Sequence, residues 1–152
     1  MRQVTEIKTI YKFGENAEID EKIRENFHQD NHFDYFLHER IDTLKALAKS
    51  VYGELDYSIS VVPDRGEFIK ITDFDKDYLK ELIDKKDDCP LTGMCYDYAI
   101  LSLLEENESM QDALDIYLTH IHAEYDTLME HENLLETCEA NEYEFDENGN
   151  IY

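Results

Sequence analysis

The sequence predicts a single α+β domain over residues 1–152, in which a small antiparallel sheet packs against several helices, the last of them long and amphipathic. Three observations support this prediction. The chain of 152 residues is 42% apolar, with 11 Tyr and 7 Phe, which is enough for one buried core. Apolar residues alternate in some segments and recur every three to four residues in others, as strands and helices require. No internal repeat and no linker-like composition divides the chain.

The first third of the chain predicts a strand followed by two helices. Residues 4–13 are rich in β-branched and aromatic residues and predict the strand. Ile19, Ile23 and Phe27 recur every four residues and predict a short amphipathic helix, which polar residues 29–31 end. A longer helix is predicted over residues 34–52, with Gly53 as its carboxyl-terminal cap. Its apolar stripe is Phe33, Leu37, Ile41, Leu44, Ala48 and Val51.

A β-hairpin and a third helix are predicted next. Residues 56–62 and 67–72 flank the Pro-Asp-Arg-Gly segment 63–66, whose residue types suit a tight turn. Asp73 is the predicted N-cap of a helix that runs to about residue 86. Residues 87–93 are predicted to form a loop, and residues 98–105 a short helix. The third helix is expected to be buried through Phe74, Tyr78, Leu82 and Ile83.

The longest predicted helix spans residues 109–138. Its apolar stripe is Met110, Leu114, Tyr117, Ile121, Tyr125, Leu128 and Leu135. Its opposite face carries Asp112, Asp115, Thr119, His122, Asp126, Glu130 and Asn133. Tyr143 and Phe145 alternate in a predicted last strand, and Asn148-Gly149 predicts a turn.

Acidic residues are concentrated in the second half of the chain. The net charge is −23; residues 1–86 carry 19 Asp/Glu and 14 Lys/Arg, whereas residues 87–152 carry 18 Asp/Glu and no Lys or Arg. Such segregation predicts a strongly negative surface that repels nucleic acid and anionic lipid and attracts cationic partners. The plain alternative is a solvated surface that only keeps the protein soluble.

Seven carboxylates in this half are the predicted partner-binding residues. If all 18 acids lay along a thirty-residue helix of roughly 45 Å, their spacing of about 2.5 Å would approach the ~1.7 Å of duplex DNA. The helix alone is much sparser, so imitation of DNA requires neighbouring elements. The predicted residues are Asp112, Asp115, Asp126, Glu130, Glu105, Glu106 and Glu108.

A calcium loop and a zinc site are both disfavoured by spacing. Asp73, Asp75, Asp77 and Asp84 match calcium-loop positions, but Tyr78 stands where that loop needs Gly. Five residues separate Cys89 from Cys95, more than the usual two to four of a structural zinc site, even if Cys138 or a histidine were added; His120 and His122 do not share a helix face. Neither a metal nor a cofactor is predicted.

Catalysis and membrane insertion are not predicted either. The sequence has no Gly-rich phosphate loop, nucleophile elbow or His-Glu-x-x-His pattern. Its apolar runs are too short to span a bilayer, and no signal peptide is expected. Three sparse cysteines fit a reducing cytosol. A cytoplasmic protein that is not an enzyme is therefore predicted.

Several segments resemble a widespread group of small acidic proteins of bacteriophages and prophages. They are residues 10–15 (Ile-Tyr-Lys-Phe-Gly-Glu), 65–68 (Arg-Gly-Glu-Phe), 89–93 (Cys-Pro-Leu-Thr-Gly) and 139–145 (Glu-Ala-Asn-Glu-Tyr-Glu-Phe), together with Asn148-Gly149. The resemblance covers most of the chain but carries no catalytic residue. By size and acidity the chain is also similar to anti-CRISPR and anti-restriction proteins, which occupy the nucleic-acid channel of a nuclease.

Charge and resemblance together predict a phage-encoded inhibitor of a host defence effector. Its acidic face would dock into the basic nucleic-acid-binding groove of that host protein and would not bind nucleic acid itself. A phage accessory protein that modulates host transcription or assembly is the first alternative. A metal-dependent hydrolase that uses clustered carboxylates is the second.

Overall fold

Six α-helices, one short 3₁₀-helix and one two-stranded antiparallel sheet form the secondary structure in the computed structural model, which describes residues 9–30, 34–60, 65–94 and 96–152. This content confirms the predicted α+β class. In chain order the elements are α1 (Ala17–Gln29), α2 (Asp34–Ser50), β1 (Glu54–Ser58), β2 (Phe68–Thr72), α3 (Lys76–Asp84), the 3₁₀-helix (Lys86–Asp88), α4 (Tyr96–Glu106), α5 (Met110–Leu128) and α6 (His131–Ala140).

The chain divides into two compact units. The central unit is Asp34–Tyr125, and the terminal unit combines Met1–Phe33 with Asp126–Tyr152. The prediction of one domain over residues 1–152 stays a prediction. Within the described residues, no helix is both long and apolar enough to cross a membrane.

In the terminal unit, α1 follows its sequence pattern closely. The Asn16 side chain accepts hydrogen bonds from the backbone N–H groups of Glu18 and Ile19, which caps the helix. Ile19, Ile23 and Phe27 are all buried, as their four-residue spacing predicts. Phe27 lies 6.1 Å, between ring centroids, from the fully buried Phe145.

Phe145 joins distant parts of the terminal unit through backbone pairing. It exchanges two backbone hydrogen bonds of 2.8 Å with Tyr11 and forms a second bridge with Ile151. The predicted strands at residues 4–13 and 143–145 are therefore single bridges in the described residues, while residues 4–8 lie outside them. The predicted turn at Asn148-Gly149 is confirmed, because Gly149 donates a backbone hydrogen bond to Asp146.

In the central unit, α2 ends at Ser50, two residues before the predicted end, and the left-handed residue that follows it is Tyr52 and not the predicted Gly53. Tyr52 adopts the left-handed conformation with φ +56°, and Gly53 donates its N–H to the Ala48 carbonyl at 2.9 Å. Gly53 is needed for space, since a Cβ there would lie 2.8 Å from Ile71 Cγ2. The predicted stripe is buried at Leu37, Leu44, Ala48 and Val51 and half-buried at Ile41, while Phe33 lies outside the described residues.

The hairpin is confirmed with a shifted first strand. β1 pairs with β2 from Glu54 opposite Thr72 to Ser58 opposite Phe68. Ile69 and Ile71 point to one side of β2 and are buried. Residues 61 and 62 of the predicted first strand, and residues 63 and 64 of the predicted turn at 63–66, lie outside the described residues.

The predicted start and burial of α3 are wrong. Asp75, and not Asp73, caps the helix by accepting from the N–H groups of Asp77 and Tyr78, because Asp73 takes a left-handed conformation at φ +58°. No α3 residue is fully buried. Tyr78 is 44% exposed, and its ring packs edge-on against the ring of Tyr52.

The predicted long helix is two helices, α5 and α6. A continuing stripe would place an apolar residue at 132, seven after Tyr125, but Glu132 stands there and is exposed. The buried positions restart at Leu134 and Cys138. Glu130 is extended at the break, and Asn133 donates its side-chain N–H to the Thr127 carbonyl at 2.7 Å. This side chain thereby satisfies a carbonyl that the interrupted helix leaves open.

Candidate functional site

The seven predicted partner-binding carboxylates are all exposed. Ser109 begins α5 by accepting the Asp112 N–H at 3.1 Å, so Asp112 lies in the first turn, where a negative charge complements the helix dipole. At about 100° per residue, α5 places Asp112 and Asp115 about 60° apart around its axis. Glu105 and Glu106 end α4, and Glu108 lies in the short connection that follows.

The seven residues divide between the two units. Five fall within residues 105–115 of the central unit and form what we call the 105–115 surface: Glu105, Glu106, Glu108, Asp112 and Asp115. Asp126 and Glu130 belong to the terminal unit. The predicted site is therefore one compact acidic segment and two further carboxylates.

Most of this negative charge has no cationic partner. Glu105 pairs with the Lys86 ammonium, and this hydrogen bond raises the pKa of Lys86. Asp115 accepts from the Gln111 amide at 2.8 Å, and the same amide nitrogen donates to the Ile69 carbonyl at 3.0 Å, which fixes α5 to β2. Across the described parts of the chain, none of the other six predicted acids forms an ion pair with Lys or Arg. Their charges face solvent uncompensated.

Glu124 is an exception among the acids of α5. Its carboxylate accepts from both Nε and Nη2 of the buried Arg40, and the Arg40 guanidinium lies 3.6 Å from the centre of the Tyr96 ring. This arrangement joins α2, α4 and α5 within the central unit. The charge of Glu124 is therefore paired within the unit, although its side chain is 43% exposed, and we do not count it in the partner-binding surface.

Asp97 is a second acid with an internal role. It is fully buried and accepts four hydrogen bonds, from the backbone N–H of Leu91, Thr92 and Gly93 and from the Thr92 hydroxyl, at 2.7 to 2.9 Å. These bonds order the loop that precedes α4. Sequence periodicity gives no sign of this role, since Asp97 reads as an ordinary acid in a first helical turn.

His122 does not lie on an open acidic face. Its Nε2 atom is 2.8 Å from the Glu67 carboxylate, and both side chains are largely buried. Glu67 also accepts from the Ser60 backbone N–H at 2.7 Å. The carboxylate thus lies between the serine and the imidazole, whereas nucleophilic catalysis places the imidazole against the hydroxyl. The group connects the hairpin to α5.

Two of the three cysteines considered for a zinc site, Cys89 and Cys138, lie in the described residues. Within residues 9–30, 34–60, 65–94 and 96–152, no group of three or more His, Cys, Asp or Glu side chains is arranged to hold a metal ion. Cys89 is half-buried in the central unit and Cys138 is buried in the terminal unit. Cys95 lies outside the described residues.

A cavity in the terminal unit is the feature that sequence reasoning missed. It has a volume of about 610 Å³ and is lined by Lys12, Phe13, Cys138, Glu139, Glu142, Tyr143 and Glu144. The only hint in the sequence is that three acids lie close to Tyr143 after a predicted helix. The cavity also requires the distant residues 12 and 13, which no local pattern can place.

Comparison with known proteins identified no relative of the chain. Neither a protein-family model, nor a curated protein, nor a solved structure matches the chain.

Proposed function

We propose that this protein inhibits a host defence effector by docking its acidic surface into the basic nucleic-acid-binding groove of that effector. The observation that supports this most is the 105–115 surface, where five exposed carboxylates have one Lys partner between them within the part of the chain that the structure describes. The proposal also draws on the phage resemblance of the sequence. In this view the protein acts in the host cytoplasm, as a binding protein and not as an enzyme.

The physics of such docking favours protein partners over nucleic acid. A surface with several uncompensated carboxylates repels phosphate backbones and raises the local concentration of cationic surfaces. At physiological ionic strength the attraction extends over about 8 Å, so it steers encounter more than it sets affinity. Tight binding then depends on aromatic and apolar contacts at the centre of the interface.

A competition experiment with candidate effectors tests the proposal. Purified RNA-guided nucleases and restriction endonucleases would be incubated with labelled DNA and increasing amounts of the protein. We expect near-stoichiometric loss of DNA binding and cleavage by the true target, with inhibition weakening between about 50 and 300 mM salt. Free DNA should not bind the protein. Inhibition that is insensitive to salt, or no inhibition across the panel, would contradict the proposal.

The matched variants separate docking from general acidity. A triple variant of the 105–115 surface (Glu108→Gln, Asp112→Asn, Asp115→Asn) removes three charges there. A control triple variant (Glu18→Gln, Glu21→Gln, Glu25→Gln) removes three exposed charges from α1. Inhibition should fall with the first variant and change little with the second. Equal effects would indicate that only net charge matters.

A further inference from the structure

The cavity of the terminal unit has an apolar floor and an acidic rim. Phe13 and Cys138 are each 3% exposed and lie at the bottom, with Tyr143 half-buried beside them. The rim carries three exposed carboxylates, Glu139, Glu142 and Glu144. Lys12 is the one cation among the described residues that line the cavity.

The end of α6 explains why the acids converge. The chain reverses at Glu142, which adopts a left-handed conformation with φ +55°, and Tyr143 donates its N–H to the Cys138 carbonyl at 2.9 Å. This reversal places Glu139, before the turn, and Glu144, after it, on the same cavity. Glycine usually occupies such a position because a side chain there costs about 1 kcal/mol or more. Here the side chain is a carboxylate that lines the cavity.

The electrostatic balance inside the cavity is negative. Three carboxylates oppose one ammonium among the lining residues. Burial, and after it the nearby Asp20 carboxylate, raises the pKa of the Cys138 thiol to about 11, so the thiol is neutral at physiological pH. Asp20 is itself held close by the Gly14 N–H at 2.8 Å. A cation entering the cavity therefore meets an uncharged floor and an anionic rim.

We propose that this cavity receives an arginine side chain of the basic partner, an inference that rests on the proposed function. Its volume of about 610 Å³ falls in the range of ligand pockets, roughly 300–1,000 Å³, and admits one long side chain with its neighbouring backbone. Arginine suits the rim better than lysine, because its planar guanidinium binds carboxylates through two parallel hydrogen bonds. Tyr143 offers an aromatic ring against which the same group stacks.

A peptide-binding measurement tests the cavity against the 105–115 surface. The probe is a fluorescent hexa-arginine peptide, and its affinity is measured by anisotropy for the full chain. The cavity variant (Glu139→Gln, Glu142→Gln, Glu144→Gln) is compared with the triple variant of the 105–115 surface, which makes the same change of net charge. We expect the cavity variant to lose at least about tenfold in affinity and the other about two- to threefold, since charge-assisted hydrogen bonds contribute more than diffuse attraction.

The outcomes distinguish this inference from the proposed function. Equal loss in both variants would overturn the arginine cavity while leaving docking by the acidic surface intact. No binding of the peptide by the unaltered chain, or binding that salt does not weaken, would contradict both. A Lys12→Gln variant provides a test of opposite sign, because removal of the competing cation should tighten binding. Thermal unfolding of each variant checks that it folds.

Cys138 provides an independent measurement inside the cavity. In a Cys89→Ser, Cys95→Ser background, its thiolate would attack a methanethiosulfonate reagent to form a mixed disulfide and release methanesulfinate. A trimethylammonium reagent should react faster than a sulfonate reagent of similar size, and the hexa-arginine peptide should slow the reaction. A sulfonate rate equal to or above the cationic rate, or no protection by the peptide, would overturn the inference. Free cysteine gives the intrinsic ratio of the two reagents.

Discussion

At the scale of single residues, the structure uses backbone conformations that its side chains do not favour. Tyr52, Asp73, Cys89 and Glu142 are not glycine, yet each has a positive φ between 47° and 58°. Each left-handed residue costs of the order of 1 kcal/mol, which is a noticeable part of the stability of a small protein. Tyr52, Cys89 and Glu142 follow the ends of helices and Asp73 precedes α3, so the strain accompanies changes of chain direction.

Gly149 is a position where both the backbone conformation and the lack of space for a side chain require glycine. Its φ is +77°, and a Cβ there would lie 2.7 Å from the Ile23 nitrogen and 2.8 Å from the Lys22 carbonyl carbon. Because backbone atoms of α1 cannot yield, we expect Gly149→Ala to lower the free energy of unfolding by about 2–4 kcal/mol in urea denaturation.

Gly66 is the matched control for that substitution. Its φ of +82° is similar, but a Cβ there would meet no atom of the described residues within 4 Å. Gly66→Ala should therefore cost only about 1 kcal/mol, the conformational part alone. Similar costs for the two variants would show that the contact with α1 is not a tight one.

The Cys138 thiol should lose its proton only at high pH. Its pKa is raised to about 11, first by burial and then by Asp20, against about 8.5 in an unfolded chain. This group therefore stabilises the folded chain fully below about pH 8.5, and that contribution is lost as the pH rises towards 11.

Thiol alkylation measures this shift. In the Cys89→Ser, Cys95→Ser background, the iodoacetamide rate of the folded chain should still be rising at pH 10, whereas in urea it should level off near pH 9 to 10. A plateau near pH 9 in the folded chain would contradict the burial of Cys138.

At the scale of elements, the sequence predicts secondary structure well where the spacing of apolar residues within one segment determines it. The stripe Ile19, Ile23 and Phe27 identified α1 and its buried face, and the start of β2 and the end of the hairpin followed from residue type. The break between α5 and α6 was missed because residues 126–131 carry no Gly or Pro to mark it. The signal in the sequence was an interruption of the apolar stripe, because Glu132 stands where the stripe requires an apolar residue.

Sites that depend on tertiary contacts were harder to foresee. The exposure of the predicted acids follows from their position opposite the apolar stripe. The 105–115 surface could therefore be predicted from the sequence. The roles of Glu124 and Asp97 could not be predicted, because an acid that pairs with a distant arginine, or that is buried under a loop, looks the same in sequence as a solvated one. The cavity brings together residues 12–13 and 138–144, and no periodicity connects these segments.

The loop before α4 should depend on Asp97. Replacement by Ala would leave the N–H groups of Leu91 and Thr92 without this acceptor, and Gly93 would keep only its 3.2 Å hydrogen bond to the Cys89 carbonyl. We therefore expect Asp97→Ala to destabilise the chain by about 2–4 kcal/mol. Urea denaturation and hydrogen exchange of these amides would measure it. Asp88→Ala, at an exposed acid in the same region, should stay within about 0.5 kcal/mol.

At the scale of the whole molecule, acidity is shared more evenly than the sequence halves suggest. Residues 1–33 with 126–152 carry 16 acidic and 5 basic residues, a net of −11, and residues 34–125 carry 21 and 9, a net of −12. The charge segregation along the chain is therefore not a division between the units. Each unit has its own acidic region, the 105–115 surface in one and the cavity rim in the other.

A net charge of −23 should make stability depend on salt. Like charges repel one another more in the compact state than in the unfolded chain, and dissolved ions screen that repulsion. We expect the Tm to rise by several degrees between about 20 and 500 mM NaCl.

Charge-reducing variants provide the control for this effect. The triple variant of the 105–115 surface should begin with a higher Tm at low salt and gain less from added NaCl. A Tm that falls with salt would indicate that attractive pairs such as Arg40–Glu124 outweigh the repulsion.

The backbone pairing of Tyr11 with Phe145 has a consequence for how the protein is made. The residues are 134 positions apart, so at roughly 5–20 residues per second the ribosome needs roughly 7–27 s to supply the second after the first. Throughout that interval α1 carries Ile19, Ile23 and Phe27 without Phe145 to cover them. The central unit, which is continuous in sequence, is complete before then, and the nascent chain must keep the apolar face of this early amphipathic helix from aggregating until residue 145 has been synthesised.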